Sequence, residues 1–133
     1  MTEVILGIDP GLHIGYAVLG VEERRILESG MILSSDLSES ILSDFKLIRP
    51  LYHPVIPVIE KFPQIVQEDL ASIREQLLRY FPRAISIAPG VYLPVMHARP
   101  KIPFVSSDIH AFEAALLAYY YLIFKHSRSE GAL

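Results

Sequence analysis

The first third of the chain alternates short apolar runs with turn-forming residues, a pattern that predicts a β-meander. The runs cover residues 4–9 and 14–19, and a third strand is expected at about 25–33. Five of the seven glycines fall within the first thirty residues, where they mark tight turns. We therefore expect three consecutive antiparallel strands.

Further along, apolar residues recur at the spacing of three and four that is typical of amphipathic helices. One helix is predicted between residues 38 and 51 and a second over 66–81. In the second helix the apolar residues step by four, three, four and four: Val66, Leu70, Ile73, Leu77 and Phe81. A long final helix is predicted from a cap at Ser106 or Ser107 to about residue 125.

Two more apolar runs, at residues 55–60 and 84–88, predict buried strands between these helices. Because Pro57 cannot donate a ladder hydrogen bond, we expect the first of them to be short or to begin at that proline. These two bring the number of predicted strands to five.

The first hairpin carries the most informative residue. Residues 9–12 predict a type II turn, because Pro10 presets the first corner and Gly11 accepts the positive φ of the second. Asp9 then ends a buried strand, where an ionised carboxylate requires a metal, a phosphate-bearing ligand or a compensating cation. Alternation places it on one face with Ile5 and Gly7, and Gly7 leaves space for another group to approach beside the acid. An ordinary hairpin in which the aspartate caps its own turn is the alternative.

Other acids share the same pattern or lie on the final helix. Glu60 ends the apolar run 55–60, while His110 and Glu113 are three residues apart and share one helix face. Asp108 precedes them at the helix start. In the alternative interpretation, Asp108 is a favourable charge at the helix amino end, His110 is an ordinary polar residue and Glu113 faces solvent.

These groups converge if the final helix crosses the sheet near the ends of strands one and four. Oxygen ligands of this kind suit Mg²⁺ or Mn²⁺, and a histidine favours Mn²⁺ slightly. Two such ions about 4 Å apart would activate a water and stabilise a leaving 3′ oxygen. The cluster therefore predicts phosphodiester cleavage. Small residues on the same helix permit it to pack closely on its neighbours: Ala111, Ala114, Ala115 and Ala118.

Composition limits the remaining classes of protein. With 133 residues and 51% hydrophobic content, the chain is expected to form one domain over residues 1–133. The absence of cysteine excludes disulfides and thiolate metal sites and fits a cytoplasmic protein. No signal peptide is recognised, and the apolar stretch 114–124 is too short to span a membrane.

The net charge of −3 and a pI near 5.9 count against nonspecific binding to nucleic acid. Phosphate contacts would then need local basic groups. In the alternative interpretation, these groups form a solvated helix face and a solvated loop. The candidates are Arg74, Arg79 and Arg83 on one segment, and Arg99 with Lys101 in a proline-containing loop.

Three sequence blocks, GIDPGLHIGYAVLG, VIEKF and HAFEAALLA, together resemble the RuvC family of Holliday junction resolvases in the ribonuclease-H-like superfamily. The resemblance implies an α/β fold whose five-stranded mixed sheet has the order 3-2-1-4-5, with helices on both faces. It matches Asp9, Glu60, His110 and Glu113 to the family's metal-binding positions. Glutamate at position 113 replaces the family's final aspartate and lengthens that ligand by one methylene.

The resemblance further implies a metal-dependent endonuclease that acts on structured or branched DNA, such as Holliday junctions, in recombination and repair. Asp9 would bridge two Mg²⁺ or Mn²⁺ ions, and Glu60 and Glu113 would each hold one. His110 would be a ligand or a general base, and Asp108 is the reserve ligand. A homodimer is expected on junctions.

Two departures leave other functions open. The segment between Glu60 and the final helix is short, and the family's glycine- and lysine-rich DNA-contacting segment is not found. The alternatives are a nuclease in RNA processing that resembles YqgF proteins and a catalytically inactive RuvC-like interaction module.

Overall fold

The structure is a computed structural model, and it describes residues 2–44, 52–61, 68–88, 92, 94 and 109–126. Five strands and three α-helices have both ends within these residues. The strands are β1 (Thr2–Asp9), β2 (His13–Gly20), β3 (Arg25–Leu33), β4 (Tyr52–Glu60) and β5 (Ile85–Ile87). The helices are α1 (Glu39–Asp44), α2 (Glu68–Tyr80) and α3 (Ile109–Tyr121). A 3₁₀ turn (Ser34–Asp36) follows β3, and a π-helical turn (Leu122–His126) extends α3.

The strands form one mixed sheet in the order β3-β2-β1-β4-β5, as predicted. Short turns join β1, β2 and β3, so these strands pair antiparallel. Longer connections precede β4 and β5, and β4 runs parallel to both β1 and β5. Consequently, β1 and β4 lie side by side at the centre and end at the same edge of the sheet.

Alternate residues of β1 enter two separate cores on opposite faces of the sheet. Val4, Leu6 and Ile8 share one buried cluster with residues of α1 and α2. Ile5 belongs to the cluster on the other face, which α3 and the π-helical turn cover. Helices on both faces were expected, and α1 and α2 supply one face with these buried side chains: Leu42, Ile73 and Leu77.

The prediction of a type II turn at residues 9–12 is wrong. Gly11 has no positive φ, and β1–β2 pairing ends at Asp9 with Gly15, which leaves a wider loop than a two-residue hairpin. The loop is tied to the end of β3, because the Leu12 carbonyl accepts a hydrogen bond from the Ser34 amide at 2.8 Å. This anchor replaces the tight turn.

β4 begins at Tyr52, earlier than the expected start at Pro57. The Lys61 amide donates to the Ile87 carbonyl, so the backbone nitrogens of alternate residues, including Pro57, point toward β5. Because β5 pairs only from Val58 onward, Pro57 interrupts no ladder hydrogen bond. The register with β1 shifts between Thr2 and Val4, opposite the part of β4 that contains Pro54.

The helix boundaries agree with the sequence pattern where they are described. Ser38 caps α1 by accepting a hydrogen bond from the Ile41 amide at 3.2 Å. The α2 helix ends at Tyr80, just before Pro82. The expected continuation of the first helix over 45–51, the start of the second at 66 and the serine cap of the final helix lie outside the described residues.

Candidate functional site

Asp9 and Glu60 lie next to each other at the carboxyl edge of the sheet. They are the last residues of β1 and β4, whose register pairs the preceding residues Ile8 and Ile59. The two carboxyl groups interact by a side-chain hydrogen bond. Adjacent parallel strands thus bring together the two strand-terminal acids that the sequence singled out.

The α3 helix approaches this edge closely because glycines line its path. A Cβ on Gly7 would collide with the carbonyl oxygen of Ala114, and one on Gly15 with that of His110. Ala114 and Ala118 present only small side chains to the same region. The group that approaches beside the acid is therefore the backbone of α3 itself.

His110 and Glu113 are carried to Asp9 by this approach. The His110 Nδ1 atom lies 3.5 Å from Oδ2 of Asp9, and the two side chains are 38% and 16% exposed, respectively. Glu113 is half-buried and near enough for its charge to act on Asp9. Asp108 lies outside the described residues, as do Arg99 and Lys101.

The carboxyl pair has strongly perturbed acidity. Burial raises the pKa of Asp9 to about 6, the hydrogen bond with Glu60 acts in the opposite direction, and the charge of Glu113 raises it further. Burial, followed by the hydrogen bond and the charge of Asp9, raises the pKa of Glu60 to about 8. Both acids therefore keep their protons to a higher pH than ordinary carboxyl groups do.

Two residues at the site were not predicted. The His13 ring meets His110 edge-on, with centroids 5.3 Å apart. Tyr92 is fully buried, and among the residues that the structure describes its hydroxyl has no hydrogen-bond partner of regular geometry. Burial, followed by the charges of Glu60, Glu113 and Asp9, raises the pKa of Tyr92. His13 adjoins the loop after Asp9 and could have been flagged by that position, whereas nothing in the pattern around Tyr92 pointed to the site.

The donor chemistry suits a hard divalent cation. Three carboxylates and an imidazole are the ligand types of Mg²⁺ and Mn²⁺ sites, and a cation would compensate for crowding three acids. Within the described ranges, no group of three or more His, Cys, Asp or Glu side chains stands ready-formed as a metal site. The fit to such an ion therefore rests on the chemistry of these four side chains and not on a preformed cage.

Away from this edge, Arg74 donates a hydrogen bond to the Ser86 hydroxyl at 2.9 Å, which ties α2 to β5. Arg79 and Arg83 are exposed. Among the helices that the structure describes, none has the length and apolar character needed to cross a membrane.

The sheet order and the helices on both faces define a ribonuclease-H-like fold, as predicted. Among solved structures, the chain is similar to T. thermophilus RuvC, which was determined in complex with a Holliday junction substrate. The TM-score is 0.59 at 17% sequence identity, and the match covers 95% of this chain and 96% of RuvC. No protein-family model matches the sequence, and no curated protein matches it.

Proposed function

We propose that this protein is a divalent-metal-dependent endonuclease that hydrolyses phosphodiester bonds in branched DNA. The observation that carries the proposal is the meeting of Asp9 and Glu60 at one sheet edge, with His110 and Glu113 brought over them by α3. Three acids with one histidine at a partly open edge suit a hydrolytic metal centre better than a structural core.

Asp9 is the central ligand in this proposal, because it contacts His110 and interacts with Glu60. Glu60 and Glu113 would supply the other carboxylate ligands to Mg²⁺ or Mn²⁺. When bound, such ions lower the pKa of water and stabilise the charge on the leaving oxygen. His110 is a ligand or accepts the proton of the attacking water, and its partial exposure leaves it accessible to that water.

Branched DNA is the proposed substrate because the fold matches RuvC along nearly its whole length. Two symmetric cuts in a four-way junction require two active sites, so we propose that the chain acts as a homodimer of one-domain subunits. With a net charge of −3, the chain must meet DNA phosphates through local basic groups such as the exposed Arg79 and Arg83.

The test is a cleavage assay with synthetic four-way junctions, flaps, single strands and structured RNA, each with Mg²⁺, Mn²⁺ or EDTA. We expect junction cleavage with metal and none with EDTA. Loss of a residue that only hydrogen-bonds to a metal ligand commonly lowers activity by about 10–100-fold. Asp9→Asn removes the charge of a direct ligand, so it should lower cleavage by about 100-fold or more. Glu22→Gln removes one exposed acid from the β2–β3 turn and is the charge-matched control.

Cleavage that persists in EDTA, or that Asp9→Asn leaves unchanged, contradicts the metal centre. If the protein cleaves only the structured RNA, and does so with metal, the proposed substrate is wrong and a role in RNA processing takes its place. Failure to cut any substrate, together with partner binding that is identical with and without Mg²⁺, leaves an inactive interaction module.

A further inference from the structure

Tyr92 carries a polar group that the fold buries and leaves unused. Its side chain is 0% exposed, and its ring lies against Tyr120 with centroids 6.1 Å apart. Within the described part of the chain, the hydroxyl has no hydrogen-bond partner of regular geometry. Since burial of an unpaired hydroxyl is unfavourable, a phenylalanine would satisfy packing at this position equally well or better.

The hydroxyl lies close enough to three carboxylates for their charges to act on it. Besides burial, the charges of Glu60, Glu113 and Asp9 raise the pKa of Tyr92, and a hydrogen-bonding interaction with Glu60 adds to them. Glu60 is also the acid on which the hydroxyl acts in return. Glu60 is therefore the candidate acceptor for this buried donor.

A carboxylate that ligates a cation through one oxygen keeps its other oxygen free to accept a hydrogen bond. Such outer partners hold a ligand in its binding rotamer and are worth a substantial part of metal affinity. Tyrosine is suited to this role beside several acids, because its hydroxyl donates without adding negative charge.

We propose that Tyr92 is a positioning residue that donates a hydrogen bond to Glu60 when Glu60 holds a divalent cation. The inference rests on the proposed function, since it assigns a partner to one ligand of the proposed metal centre. The interaction of the hydroxyl with Glu60 falls short of regular hydrogen-bond geometry, and we expect an ion that fixes the carboxylate to bring the two groups into that geometry.

The test compares Mg²⁺ and Mn²⁺ binding by calorimetry in the full chain, in Tyr92→Phe and in Tyr120→Phe. Tyr120 is buried in the same ring contact, so its substitution controls for loss of a tyrosine hydroxyl in this core. We expect Tyr92→Phe to weaken binding of both ions about tenfold and Tyr120→Phe to leave it unchanged. Without metal, Tyr92→Phe should melt at the same temperature as the natural chain or higher, which a merely structural hydroxyl would not allow.

A spectroscopic measurement makes the test independent of the variant's folding. The chain has seven tyrosines, and incorporation of 3-fluorotyrosine gives each a fluorine resonance. The resonance that Tyr92→Phe removes should shift when Mg²⁺ is added, and the shift should disappear in Glu60→Gln. The Tyr120 resonance should stay in place.

The outcomes separate the two proposals. If the natural chain binds Mg²⁺ but Tyr92→Phe binds equally well and the Tyr92 resonance does not move, the positioning role is wrong and the metal centre stands. If the natural chain binds neither ion, the metal centre fails and the role of Tyr92 fails with it.

Discussion

Gly7 of β1 lies directly beneath the carbonyl oxygen of Ala114 in α3, so closely that no side chain fits between them. This contact lets the helix rest on the sheet backbone and holds its first turns over the end of β1. The position of His110 and Glu113 relative to Asp9 thus depends on the absence of a side chain two residues before the acid.

Gly7→Ala should therefore lower both stability and activity. The added methyl group meets helix backbone, which cannot move aside cheaply, so we expect a loss of about 2–3 kcal/mol in the free energy of unfolding. Urea denaturation measures this loss. Gly11→Ala is the control, because its nearest neighbour would be the His13 carbonyl oxygen at 3.3 Å and Gly11 lacks positive φ. Equal losses for the two variants would contradict the close approach of α3.

Metal-free protein should become less stable as the pH rises from about 5 to about 8. The folded-state pKa values of Asp9 and Glu60 are raised above their unfolded values, so the folded chain binds more protons in this range and stability falls with pH. Glu60→Gln should flatten the profile and melt several degrees higher than the natural chain at pH 8. Scanning calorimetry in EDTA follows the melting temperature.

Adding Mg²⁺ at pH 8 should raise the free energy of unfolding, because the ion compensates for the charges of the acids. The expected gain is roughly 2.7 kcal/mol at a free Mg²⁺ concentration of one hundred times the dissociation constant. Glu22→Gln, in the turn at the opposite end of β2, should follow the natural chain throughout. A metal-free profile that rises with pH would contradict the burial of the two acids.

His110→Ala should reduce metal-dependent cleavage by roughly 10–100-fold, because it removes the imidazole that contacts the proposed ligand Asp9 at 3.5 Å. His13→Ala is the matched control, since that exposed ring touches His110 only edge-on. We expect it to change the rate by less than about threefold, as it contributes no proton-transfer group to the reaction. Single-turnover kinetics on a labelled junction compare the variants. A larger effect of His13→Ala would transfer the proposed role to that residue.

Arg24→Gly should stabilise the protein by up to about 1 kcal/mol. Arg24 has a φ of 56°, a conformation that glycine adopts without strain. Its amide donates to the Gly20 carbonyl at 2.9 Å, and this turn bond survives the change. Arg25→Gly, one residue later in β3, should instead destabilise, because extended backbone gains nothing from glycine. Chemical denaturation of both variants checks the sign.

The parts of the fold that the sequence predicted are those set by local pattern. Asp9 and Glu60 were found because each ends an apolar run, and the sheet order followed from a resemblance carried by three short blocks. The turn after Asp9 was predicted wrongly, because its conformation depends on the bond from Ser34 to Leu12, which is distant in the chain. The early start of β4 was missed because the tolerance of Pro57 depends on where β5 begins pairing.

Tyr92 could not be predicted from the sequence for a related reason. It lies in a segment without helical or strand periodicity, so only three-dimensional placement reveals that its side chain interacts with Glu60. Conversely, the spacing of His110 and Glu113 was informative, because residues three apart on any helix share a face. That the face turns toward Asp9 required the glycine-lined path of α3.

The alternation of β1 between two cores leaves this strand unable to slide. Inserting or deleting one residue between Val4 and Asp9 would exchange the two sets of side chains. The acid would then point into the hydrophobic core that contains Leu6, and an isoleucine would point toward the open edge. Length changes in the hairpin at residues 21–24 carry no such penalty. Among distant descendants, gaps should therefore accumulate at that far hairpin and spare the opening strand.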